Sequence, residues 1–90
     1  GPYLEVKGHA YILREAAVVN FEYTGSYGEI LDCNGDIAIK CGNDNYVLVL
    51  LQVQPININN WDNGFHMASS VSASELLLRE NIIFGDNILN

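Results

Sequence analysis

Two histidines, two cysteines and a scatter of carboxylates are the side chains in this 90-residue chain that could do chemistry, and their spacing argues against a catalytic set. Neither Cys33 nor Cys41 has a histidine close in sequence, no G-x-S-x-G elbow is present, and no glycine-rich phosphate loop precedes a helix. His9 and His66 are candidates for a spatial pairing, although a lone histidine at a strand start or in a loop is ordinarily a surface or hydrogen-bonded structural residue. Asp32 with Asp36, and Asp44 with Asp62, are the carboxylates that turns normally contain. Two distant cysteines and two isolated histidines fall short of a metal ligand set. Asp62-Asn63-Gly64 looks like part of a calcium loop, yet Trp61 stands where an EF-hand would place an oxygen ligand, and no acidic residue closes the loop at the right distance. No catalytic residue, metal or cofactor is therefore expected in this chain, which reads as a binding or scaffolding domain.

If a binding surface exists, the aromatics placed on loops are the candidates: Tyr23, Tyr27 and Trp61. The Phe21–Ser26 loop has a second reading, as a lid that tucks Phe21 and Tyr23 over the core. Trp61 has the same alternative, anchoring its own loop on the domain.

Composition bounds the partners. Hydrophobic residues make up 49% and charged ones 17%, which describes a globular chain, and no window is apolar and long enough for a membrane helix. Four basic residues (Lys7, Arg14, Lys40, Arg79) face eleven acidic ones, for a net charge of −7. Nucleic acid and anionic membranes need several Lys or Arg on one surface, so both are disfavoured and a cationic or neutral partner fits better. No secretory pattern opens the sequence, and a cytoplasmic location is expected. One core and one domain, residues 1–90, suit this length.

The elements that must position these residues centre on Tyr27–Ile56, read as three strands, Glu29–Cys33, Ile37–Cys41 and Tyr46–Gln54, joined at Asn34-Gly35-Asp36 and at residues 42–45. A three-residue first turn puts Leu31, Cys33, Ile37, Ile39 and Cys41 on one face, the cleaner hydrophobic division, and is preferred over a two-residue turn. In that register the two cysteines are separated by roughly 13 Å along the ladder, and in the other they lie on opposite faces, so neither allows a disulfide. Val47–Leu51 is apolar on both faces, as a strand covered on both sides should be, and marks the centre of the core. Upstream, Tyr3–Val6 and His9–Asn20 form a hairpin about Lys7-Gly8, the strand being favoured over a helix by Tyr11-Ile12 and Val18-Val19. Downstream, Pro55 is expected to end its strand, Asn57–Gly64 to be a polar loop, and Ser72–Glu75 to be a capping box opening a helix over Ala73–Glu80, with Leu76 and Leu77 facing the core and Asn81 as its stop. Asn87–Leu89 can return as a last short strand. The whole is expected to be mainly β, a small open antiparallel barrel of the OB-like type with one short helix.

Gly28-Glu29-Ile30-Leu31, Ile37–Gly42 and Val47–Gln52 together resemble the C-terminal domain of the methionyl-tRNA formyltransferase family, in which a G-x-I-L strand, a strand closing in a small residue and Gly, and a strand ending in L-Q follow in this order. Gly1-Pro2-Tyr3 looks like the end of the family's entry segment, and Gly8 with Tyr11-Ile12-Leu13 and Ala16-Ala17 like its next hairpin arm. Ser74–Leu77 with Phe84–Leu89 looks like its closing helix and G-D-x-L end. The resemblance implies an OB-like accessory domain beside an N-terminal catalytic domain. That catalytic domain uses 10-formyltetrahydrofolate and an Asn-His-Asp set to formylate an amino group, and none of those residues maps onto this chain. The tRNA-formylating members hold tRNA with basic residues, whereas this chain is acidic. Relatives acting on nucleotide-linked amino sugars, or on aminoacyl groups held by a carrier protein, are the better match, with the catalytic domain or another protein as partner. A free-standing OB-like module that binds a protein or small ligand is the alternative.

Overall fold

A computed structural model describes residues 2–42, 45–59, 64–67 and 69–89; for 57–59 and 64–67 it describes the backbone. Strands β1 (Tyr3–Val6), β2 (His9–Asn20), β3 (Ile30–Cys33), β4 (Asp36–Cys41) and β5 (Tyr46–Asn59) form one antiparallel sheet in the order β1-β2-β5-β4-β3. Two shorter strands, β6 (Gly64–Met67) and β7 (Val71–Ser72), both pair with β5, and a 3-10 turn (Ala73–Glu75) leads into α1 (Leu76–Arg79). The chain is thus mainly β, an open, curled antiparallel half-barrel with one short helix, and β5 is its spine.

The curl has a local cause. Between Leu13 and Ala16 the β2–β5 register shifts twice, from Leu13↔Val53 through Glu15↔Gln52 to Ala16↔Leu50. Each strand carries one extra residue there, and bulges of this kind bend a strand and sharpen its twist. They also exchange its faces: Tyr11 and Leu13 pack in one core cluster while Val19 packs in the other, and on β5 Leu48, Leu50 and Val53 belong to the first but Val47, Val49 and Leu51 to the second. Strict alternation along β2 fails at this point for the same reason.

Both faces of the sheet are covered. On one, Val6, Tyr11, Ile30, Ile37, Ile39, Leu50 and Val53 meet Ala73, Leu76 and Ile82 from the helical segment. On the other, Leu31, Cys33, Ala38, Val47 and Val49 lie under Phe21 and Tyr23 of the 21–26 loop, which serves as a lid. The expected register of the first hairpin assumed a single apolar face, and it is corrected accordingly. Cys33 pairs with Asp36, and Asn34 and Gly35 take φ of 52° and 95°. That is a two-residue Asn-Gly turn with two positive φ values, whose twist matches the flanking strands. Ile30, Ile37 and Ile39 then face one cluster and Leu31, Cys33 and Ala38 the other. Cys33 is buried, Cys41 half-buried, and both are free thiols.

Three further expectations are corrected. The third central strand does not stop at Pro55. It runs on to Asn59 and pairs with β6, so that part of the expected polar loop is a hairpin arm. Pro55 stands opposite Tyr11, the last rung of the β2 ladder. Leu13 N–H donates to Pro2 (2.9 Å), so by alternation Tyr11 directs its backbone groups to β1, and the β2 ladder loses no bond at the proline. The Ser72–Glu75 capping box does not form, because the Ser72 side chain makes no cap and its hydroxyl meets that of Ser74 at 3.0 Å. The tail contributes a single bridge, Glu29↔Asn87, in place of a final strand.

That tail nevertheless protects an edge. Ile30 N–H donates to Asp86 (2.8 Å), Gly85 N–H to Ile30 (2.7 Å) and Ile88 N–H to Gly28 (2.9 Å), so residues 85–88 strap the outer side of β3. Gly28 is required where they meet: its φ is +86°, and a Cβ there would lie 2.7 Å from Asn87 Oδ1 and 2.8 Å from Leu89 Cγ.

Candidate functional site

The ladder between β2 and β5 ends at Tyr11↔Pro55, after which β2 turns back with β1 while β5 goes on with β6. The fork leaves a cleft of about 280 Å³ lined by His9, Ala10, Tyr11, Pro55, Ile56, Arg79 and Glu80. His9 and Tyr11 are two apart on a strand and so share a face. Arg79 and Glu80 arrive from the helix end by a specific device. Asn81 takes φ of 53°, its N–H donates to Leu78 (3.3 Å), and Ile82 N–H donates to Leu77 (3.1 Å). This is a Schellman cap with asparagine in the left-handed position. It turns the chain so that Ile82 enters the core and Glu80 points under the β1–β2 hairpin.

Glu80 is the centre of the site. Its side chain is only 3% exposed, and it accepts from His9 Nδ1 at 2.8 Å (Oε1) and 3.0 Å (Oε2) as well as from the Tyr11 hydroxyl. With the Nδ1 proton directed at the carboxylate, the Nε2 edge of the exposed ring is left for solvent. Lys7 closes this end, its ammonium donating to the Asn81 carbonyl at 3.2 Å. Carboxylate, imidazole and phenol together can orient a histidine and hold a proton relay, but among the described residues no Ser, Thr or Cys nucleophile lines the cleft. Among the described residues no group of three or more His, Cys, Asp or Glu could hold a metal ion.

Burial, reinforced by the hydrogen bond to Glu80 and its charge, pushes the Tyr11 phenol up to about 12 from 10.0, while the neighbouring Arg79 guanidinium pulls the other way. The folded state thus excludes the ionised phenol. Because the folded pKa is the higher one, this stabilisation, about 2 kcal/mol, is complete below about pH 10 and lost as pH climbs through about 12. Urea unfolding across that range is expected to show stability falling in the native chain and falling less steeply in Tyr11→Phe.

Of the aromatics singled out from the sequence, Tyr23 and Tyr27 lie elsewhere. Tyr23 is half-buried in the lid, its hydroxyl donating to Glu29, and that bond holds the phenol pKa above its ordinary value. Tyr27 is 60% exposed, with its carbonyl held by Asn87 Nδ2 at 2.8 Å. Trp61 lies outside the described residues, as do Asp62 and Asn63 of the segment weighed and set aside as a calcium loop. The backbone of His66 falls on β6, its side chain and hence the pairing with His9 lying outside what is described, and His9 pairs with Glu80. The cleft as a site was missed, although one signal for it was present: the polar triplet Arg79-Glu80-Asn81 set between the apolar runs Leu76–Leu78 and Ile82–Phe84.

No family model, curated protein or solved structure matches this chain. Among the described residues no helix is long and apolar enough to cross a membrane.

Proposed function

We propose that this chain is a non-catalytic accessory domain of a formyltransferase-like enzyme, one that transfers the formyl group of 10-formyltetrahydrofolate to an amino sugar or to a carrier-bound or aminoacyl amine. Its role is to help position substrate or a partner subunit for a catalytic domain elsewhere in the parent. The observation that supports this reading is the cleft at the β2–β5 fork, a polar site without a nucleophile among the described residues, set in an open antiparallel half-barrel of the kind the resemblance implies. Charge supports an acceptor other than tRNA: Lys40 is buried, leaving Lys7, Arg14 and Arg79 as the basic groups at the surface, too few for a phosphate backbone.

The test is the native protein itself. Detected by antibody and weighed intact, it is expected to be much larger than 10.0 kDa and to carry folate-dependent formyl transfer to an amine. A native species of 10.0 kDa without that activity overturns the reading in favour of a free-standing ligand-binding barrel.

A further inference from the structure

We infer that the cleft at the β2–β5 fork is an oxyanion site, taking a phosphate or carboxylate group between Arg79 and His9 with the ligand's apolar part on Pro55 and Ile56. The inference rests on reading the cleft as the ligand site and not on formyl chemistry.

Four observations converge on it. First, the negative group of the cleft is out of reach, since Glu80 is 3% exposed and already accepts from His9 and Tyr11. A cationic ligand would have to displace those donors. Second, the donors a ligand can reach are Arg79, an exposed residue whose guanidinium neighbours the Tyr11 hydroxyl, and His9 Nε2 once the imidazole is protonated. In the neutral ring, with the Nδ1 proton on Glu80, that nitrogen accepts. Arg79 offers the planar fork that suits a carboxylate or phosphate. Third, the scarce positive charge of this −7 chain is concentrated here. Of Lys7, Arg14 and Arg79, only Arg14 lies away from the site, engaging Gln54 at 2.6 Å, while Lys7 is anchored on Asn81, next to Glu80. Fourth, one wall is apolar, with Pro55 buried and Ile56 half-buried, so the cleft suits an anion attached to an organic body. Glu80 acts here as a positioning residue. It fixes the His9 ring with Nδ1–H on the carboxylate, so that Nε2–H of the protonated ring is the edge that donates to the ligand.

The test is NMR titration of the labelled 90-residue chain with sodium phosphate, sodium acetate or methylammonium chloride, each at constant ionic strength, following the His9 ring and the amides of Ala10, Tyr11 and Arg79. Saturable shifts with phosphate, acetate or both are expected. Phosphate alone points to a phosphorylated ligand, acetate alone to a carboxylate, and binding of both to a shared oxyanion chemistry. Arg79→Gln, an exposed position that should leave the fold intact, is expected to weaken binding about fivefold. Saturation by methylammonium but not by the anions overturns the inference. So does the absence of saturable shifts with any of the three, or an unchanged affinity in Arg79→Gln.

Discussion

Leu50→Ala is expected to cost about 3 kcal/mol of folding stability, with a range of about 2–5 for a fully buried leucine. Leu50 is 2% exposed on the central strand, paired with Ile37 on one side and Ala16 on the other, and packed in the cluster that holds the helical segment. Shortening it leaves a void that its neighbours cannot close, because two hydrogen-bonded ladders hold the backbone in place. A chain of this size has a total stability of about 5–15 kcal/mol, so the loss is a large share of the whole. The measurement is the urea midpoint at an unchanged slope. A drop in stability of less than about 1 kcal/mol would mean that the cluster is looser than its burial implies.

The second large effect is expected at Glu80. Glu80→Ala removes the acceptor of the Tyr11 hydroxyl, which belongs to a side chain only 3% exposed, and stranding a buried donor costs about 1–3 kcal/mol. The carboxyl's own packing goes with it, and a total near 2 kcal/mol is expected. Glu80→Gln retains an acceptor oxygen and should recover about half of that loss. The two variants separate from each other in a second readout. In the native chain the His9 ring is held by the carboxylate, and its NMR signals should report one ordered orientation. In Glu80→Ala the ring becomes a free surface imidazole, and the fall of stability between about pH 10 and 12 becomes shallower because the Glu80 contribution to the Tyr11 shift is gone. If Glu80→Ala matches the native chain in stability and in His9 signals, the site is not the ordered network described.

Particular residues show how far the sequence could be read. The hairpin about Lys7-Gly8, the central run Val47–Leu51, the free thiols and the Asn81 stop could all be read correctly, because each depends on short-range rules: left-handed φ at Lys7, Gly8 and Asn81, and two-sided burial of an uninterrupted apolar strand. The Asn34-Gly35 turn shows where such rules were outweighed by a wrong assumption. The dipeptide itself favours two residues, but a criterion built for a sheet with one wet face selected three. Pro55 misled in a similar way, since whether a proline ends a strand depends on where the neighbouring strand directs its hydrogen bonds.

The three successive strands of the Tyr27–Ile56 stretch and its apolar spine were determined by the sequence alone, and with them the mainly β class and the single short helix. Tertiary structure decided the rest. Two one-residue bulges exchange the faces of β2 and β5, and no local propensity marks them, because they arise from fitting two strands around a curved core. The cleft likewise joins His9 and Tyr11 to Glu80, sixty-nine or more positions away. That proximity exists only once the Schellman turn lays the helix end beneath the β1–β2 hairpin. Tyr23 and Tyr27, chosen for being aromatic and loop-borne, stand apart from this cleft, because what defines it is the burial of a carboxylate, which depends on the packed fold.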